Sequence, residues 1–196
     1  MPWLVALCCL LRAAAGGATL VATSHEAIAA YLEICNEVAA SDGSSWALDS
    51  SQQRVMGSVI QSLEGFAASL EPEAARADAL NDLGVLFSLG HGVAPEASKA
   101  ADYFSKAIAA SNSSIVGIVN LGVLMHEGRG VPQDDERAAA LFSQACASDH
   151  PDAYYMLATL FRAGRGVKQS FDMAFHLFTM AAHHGNTRAT YMLGLM

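Results

Sequence analysis

The chain has 196 residues, 53% of them hydrophobic, 8% aromatic and 15% charged. That is too apolar for a disordered segment and long enough for one sizeable core or a linear array of small ones. With 11 Lys and Arg against 19 Asp and Glu, the formal net charge is −8, which argues against a phosphate-tracking surface and so against nucleic acid as a partner.

From the N-terminus, the apolar run Trp3–Leu11 is followed by Arg12 and the small-residue tract 13–18. The run is far short of the ~20 residues of a membrane-spanning helix. It fits a secretory signal peptide over residues 1–18, cleaved after Ala15 or Ala18, although no Lys or Arg precedes the apolar run. A weak anchor, an organellar leader or simple packing into the fold are the other readings, and no transmembrane span is expected.

Residues 19–78 read as a divergent N-terminal helical cap carrying 2 basic and 9 acidic side chains. Thr23 and Glu26 form a capping-box pattern ahead of the stripe Ile28, Tyr31, Leu32, Cys35 and Val38. After the polar stretch 41–45, a second stripe runs through Val55, Val59, Leu63, Phe66 and Leu70 to Glu71-Pro72. The acidic balance suits the polar outer face that the end of a repeat array needs.

From Ala79 onward the chain repeats itself. Leu83-Gly84, Leu121-Gly122, Leu157-Ala158 and Leu193-Gly194 recur at steps of 38, 36 and 36 residues. Gly90-His91-Gly92-Val93, Gly128-Arg129-Gly130-Val131 and Gly164-Arg165-Gly166-Val167 move in step with them, as do Phe104, Phe142 and Phe178. Three markers with one period define a repeat array over 79–196, with three full units and the first helix of a fourth. The two extra residues of the first period fall in the polar stretch 111–114, which places the chain's only Asn-x-Ser/Thr sequon, Asn112-Ser113-Ser114, on an inter-repeat loop and makes Asn112 the candidate glycosylation site.

Each unit predicts two helices. The first carries Ala79, Gly117, Ala153 or Ala189 one turn before its Leu, and the Gly-x-Gly-Val sequence ends it. The second starts at Glu96, Asp134 or Ser170, residue types that suit a helix N-terminus, and closes on Ala107, Ala145-Cys146 or Ala181-Ala182. A Gly inside a helix costs about 0.8–1 kcal/mol against Ala. Gly84, Gly122 and Gly194 therefore point to close helix approach, with Ala158 showing that the position requires smallness. The turn glycines, Gly90, Gly92, Gly128, Gly130, Gly164 and Gly166, are expected to supply positive φ.

These residues resemble the Sel-one-like repeat family, α/α units related to tetratricopeptide repeats. Its pattern is Ala-x-x-x-Leu-Gly-x-x-Tyr-x-x-Gly-x-Gly-Val-x-x-Asp-x-x-Lys-Ala-x-x-Trp-Tyr/Phe-x-x-Ala-Ala-x-x-Gly. Here Phe87, Met125 and Phe161 stand at the tyrosine, Lys99, Arg137 and Met173 at the lysine, and the closing glycine survives as Gly185. The resemblance implies an all-α, superhelical α/α solenoid of antiparallel helix pairs whose concave face binds other proteins. It also implies a non-enzymatic adapter, similar to the lumenal scaffold beside a membrane ubiquitin ligase in endoplasmic-reticulum-associated degradation. The leader and sequon suit the endoplasmic reticulum lumen or secretion. A cytosolic or organellar signalling adapter is the alternative. A β-lactam-hydrolysing role is the third, and family members credited with it carry a cysteine pair in each repeat.

No catalytic, metal or cofactor set is expected. Cys35 and Cys146 are 111 positions apart and read as buried free thiols. His91, His126, His150, His176 and the His183-His184 pair show no ligand spacing and read as surface or helix-end residues. Arg129 and Arg165 lie in repeat turns that lack a phosphate-loop context, leaving only a weak anion site as an alternative. The run Asp134-Asp135-Glu136 suits a helix start. At Met196 the chain stops within a first helix, so Leu193, Leu195 and Met196 are expected to lack their packing helix, as in a fragment of a longer protein or a face covered by a partner.

Overall fold

The computed structural model describes residues 73–89, 95–111 and 114–196, together with Gly57, Ile60, Gln61, Glu64 and Gly65. The proposed leader, most of the cap, Cys35, Asn112 and the turn with Gly90, His91 and Gly92 lie outside the described residues. Seven helices follow in chain order: α1 Glu73–Leu89, α2 Ala97–Ala110, α3 Ile115–Glu127, α4 Asp135–Cys146, α5 Pro151–Ala163, α6 Phe171–His183 and α7 Thr187–Leu195. Among the described residues there is no strand. The chain divides into two compact units, Met1–Ser111 with α1 and α2, and Asn112–Met196 with α3 to α7.

Within each unit, every helix packs on its neighbour in the chain, and α3 also touches α5. The result in the second unit is a solenoid of antiparallel helix pairs. The helix carrying Ala79 begins at Glu73, just after Pro72, where a proline is no obstacle because the first helical turn has no intrahelical N–H acceptor to lose.

The starts of the helices follow their capping chemistry. Asp134 Oδ1 accepts from Arg137 N at 2.9 Å and Ser170 Oγ from Met173 N at 3.2 Å. Asn186 caps α7 in the same way, its Oδ1 accepting from Ala189 N at 3.0 Å. Glu96 holds the equivalent place before α2 without a side-chain cap, since its longer side chain is a poor match for the N2 and N3 amides. Pro151 opens α5 at its first residue.

The turns inside each pair are copies of one another. Gly128, Gly130, Gly164 and Gly166 all have φ between 66° and 70°. Beyond each first glycine the chain folds back, with Arg129 N donating to Leu124 O at 3.0 Å and Arg165 N to Leu160 O at 3.1 Å. Gln133 Nε2 then donates to His126 O at 2.7 Å, and Gln169 Nε2 to Arg162 O at 2.9 Å, closing orphan carbonyls at the ends of α3 and α5. The backbone bonds Glu96 N to Phe87 O, Asp134 N to Met125 O and Ser170 N to Phe161 O recur in all three pairs at 2.9–3.0 Å.

The core repeats as well. Phe104, Phe142 and Phe178 are fully buried, each flanked by buried alanines on its own helix, Ala100 and Ala107, Ala138 and Ala145, or Ala174 and Ala181. Leu83, Leu121 and Leu157 are buried opposite them. In the first unit, Phe87 stacks on Tyr103 with ring centroids 5.5 Å apart, and the Tyr103 hydroxyl donates to Glu64.

Candidate interaction surface

Gly122 and Phe142 set the inner geometry of a pair, because a Cβ on Gly122 would lie 2.8 Å from Phe142 Cε1. The glycine position therefore faces the second helix. Residues roughly half a helical turn away point from it. In the second unit these are Val116 and Asn120 of α3, Asp152 and Met156 of α5, and Arg188 and Met192 of α7. All six are partly or fully exposed, and Val116 is 49% exposed. Neighbouring these, Arg188 lies over the Tyr155 ring at 5.6 Å.

The same positions in the first unit are Asp78 and Asp82 of α1. Burial, together with the charge of Asp78 one turn away, pushes the Asp82 carboxyl up to about 7. Burial also raises Asp78. The first helices thus offer an acidic strip in one unit and a mostly apolar, nearly neutral one in the other.

Two clusters join the pair α3–α4 to the pair α5–α6. At the glycine-turn edge, Asp135 in the first turn of α4 receives His126 Nδ1 at 2.6 Å on one oxygen and Arg165 Nε at 2.9 Å on the other. Burial would raise its carboxyl, but the hydrogen bonds and charges of His126 and Arg165 outweigh that and hold it below the ordinary range. At the opposite edge, Tyr154 donates its hydroxyl to Cys146 O at 3.0 Å and Asp149 Oδ1 at 2.7 Å. The Tyr154 ring stacks on His184 at 5.7 Å, and the bond to Asp149 pushes its hydroxyl up to about 12. Asp149 itself has φ 55° and is the non-glycine residue with positive φ among the described residues. It stands 36 residues before Gly185, whose φ is 88°, so an aspartate here adopts the conformation that the glycine adopts one repeat later.

Several side chains singled out from the sequence are used in building this framework. Arg165 is committed to Asp135, and Arg129 Nη1 lies 3.2 Å from Glu127 Oε2, so carboxylates already hold both guanidinium groups and the anion-site alternative is not supported. Cys146 is half-buried, not sealed in the core as expected. Burial, with the nearby Asp149 charge, pushes its thiol up to about 12. His126, His150, His183 and His184 do sit at helix ends, whereas His176 is exposed within α6. Among the described residues no group of three His, Cys, Asp or Glu side chains could hold a metal ion, and no described helix is long and apolar enough to cross a membrane. Gly194 on α7 has open space where a Cβ would stand, and Tyr191, Leu195 and Met196 are exposed.

The roles of Asp135, Asp149 and Tyr154 were not drawn from the sequence. Only Asp149 left a signal there, its place in register with Gly185.

The family model of the Sel1 repeat matches residues 77–112, 116–150 and 151–186. Among solved structures, the chain is 23% identical to a Sel1 repeat protein from Oxalobacter formigenes, with 70% of this chain and 98% of that one covered and a TM-score of 0.56. It is 18% identical to c5321, a protective antigen of uropathogenic Escherichia coli strains that displays an SLR fold, with 89% of this chain covered and a TM-score of 0.54. The match spans 42% of that antigen's length. Helicobacter pylori cysteine rich protein B is 25% identical over 70% of this chain and 93% of its own, with a TM-score of 0.49. No curated protein matches the sequence.

Proposed function

Because the chain belongs to the Sel1 repeat family, whose members are generally protein-interaction scaffolds, we propose that it is a non-enzymatic adapter that binds other proteins along the first helices of its repeats. The observation that carries this reading is the division of labour within each pair. The second helices spend their Phe and Ala residues on the core, while the first helices leave Val116, Asn120, Asp152 and Met156 available. Repetition of such a strip at each repeat creates an extended surface that a single domain of this size lacks.

The finer reading is a secretory-pathway adapter, in the manner of the lumenal scaffold of endoplasmic-reticulum-associated degradation. The leader-like residues 1–18 and the Asn112 sequon support it. The β-lactam-hydrolase alternative is disfavoured, since the repeats contribute the single cysteine Cys146, a thiol held far from its reactive form.

Two experiments test these readings. Proteins cross-linked to the full chain in cells are identified by mass spectrometry and compared with those of the Val116→Glu, Met156→Glu double variant. Loss of specific partners with an unchanged circular dichroism spectrum supports the surface, and an unchanged partner set rejects it. Expression in eukaryotic cells followed by endoglycosidase digestion tests the compartment. A mobility shift abolished by Asn112→Gln supports the lumen, and the absence of any shift favours a cytosolic or organellar adapter.

A further inference from the structure

The two edges of the junction between the pair α3–α4 and the pair α5–α6 are built from different chemistry. At the glycine-turn edge the contact is ionic and wet. Arg165, with 43% of its side chain exposed, reaches Asp135, with 18% exposed. Beneath them the Gly166 backbone presses against α4 so closely that a Cβ there would stand 2.2 Å from the Asp135 carbonyl carbon and oxygen. At the opposite edge the contact is neutral and largely dry. Tyr154 is 9% exposed, and its hydroxyl bridges Cys146 O and Asp149 beside the fully buried Ala145 and Ala153.

Ionic strength acts on these edges unequally. An exposed ion pair is screened by salt, whereas a buried neutral hydrogen bond and apolar contact are not. We propose that this junction is a one-sided hinge, with Asp135–Arg165 as a salt-operated latch and the Tyr154 edge as its pivot. When the latch opens, the α5–α6 pair tilts away from the first turn of α4, and the angle between the strips on α3 and α5 changes with it. Asp135 is then a positioning residue. His126 holds the Asp135 carboxylate from the α3 side in either state, so the latch opens by release of Arg165 and not by loss of the acid. The inference is independent of which partner the surface binds.

Hydrogen exchange of the full chain, read peptide by peptide, tests the hinge. Raising salt from about 0.05 to about 0.5 M shortens the screening length from ~14 Å to ~4 Å. The expected result is exchange about two- to five-fold faster in residues 134–138 and 164–168, with residues 145–154 unaffected. Asp135→Asn and Arg165→Gln each reproduce the faster exchange at low salt and abolish its salt dependence. Tyr154→Phe accelerates residues 145–154 and leaves the salt response of 164–168 in place. If salt leaves 164–168 unchanged in the native chain, or loosens both edges together, the hinge is overturned. If either latch variant fails to fold, the salt series on the native chain and the Tyr154→Phe variant still decide between these outcomes.

Discussion

Gly122 and Phe142, 20 residues apart, meet so closely that a methyl group on the glycine would stand 2.8 Å from the ring. Gly84 and Phe104 stand in the same relation at 2.5 Å, and Ala158 occupies the corresponding place beside Phe178. The third pair accommodates a Cβ, so the ring has room to shift by a few tenths of an ångström. Gly122→Ala is therefore expected to be tolerated far better than Gly122→Leu, which overpacks the pair and costs roughly 1–3 kcal/mol. Urea denaturation of both variants checks this, and equal midpoints would contradict it.

Gly166 is the glycine least replaceable among those described. Its φ of 66° is unfavourable for a side chain, and its Cβ would meet Asp135 backbone atoms that have nowhere to go. Gly128 has the same φ but faces only the Gln133 side chain, at 3.1 Å. Gly166→Ala should lower the melting temperature well beyond Gly128→Ala, since a displaced backbone adds to the left-handed strain of about 1–2 kcal/mol that both share. Differential scanning calorimetry of the two variants makes the comparison.

Asp82 gives the first unit a defined pH dependence. Its folded carboxyl titrates at about 7, above the unfolded value of about 3.9, so the folded state favours the protonated form. The resulting penalty is absent below the unfolded value, grows as pH rises toward 7 and is constant above it. Asp82→Asn should leave stability at pH 4 nearly unchanged and raise it at pH 8 by roughly 1–3 kcal/mol. A stability profile across this range tests the sign, because a variant less stable at pH 8 would contradict it.

Asp149 carries two opposing effects. Its left-handed backbone is strained for a non-glycine residue, while its carboxylate receives the Tyr154 hydroxyl. Asp149→Gly relieves the first and loses the second, and should be nearly neutral. Asp149→Val loses both the hydrogen bond and the tolerance for φ > 0, and should be the more destabilising by about 1–2 kcal/mol. Tyr154→Phe isolates the hydrogen bonds at about 1 kcal/mol. Thermal unfolding of the three variants gives the ranking.

Cys146 should resist alkylation in the folded chain. A thiol pushed up to about 12 is ionised in about one molecule in ten thousand at pH 8. Iodoacetamide labelling of the Cys146 peptide, followed by mass spectrometry, is expected to run at least about a hundred-fold faster in urea than in buffer. Comparable rates would show an accessible thiolate.

The helix pairs of this protein were legible in one dimension. The recurring Leu83, Leu121 and Leu157, the paired glycines of the turns and the phenylalanines 20 residues beyond each Leu-Gly or Leu-Ala glycine or alanine all express local geometry. Helical period, capping and positive φ depend on neighbours a few residues away, so a sequence displays them directly. Only the tertiary structure decided what each repeat does to the next. Asp135 reads as an ordinary helix-start acid, and its meeting with Arg165, 30 residues later, depends on the angle at which one pair packs on another. That angle arises from the summed fit of many side chains, which a repeat period records as spacing and never as contact. For the same reason the inner strip could be expected from the family pattern, whereas its division into acidic Asp78 and Asp82 and apolar Val116 and Met156 acquired meaning only once the core-facing side of each helix was known.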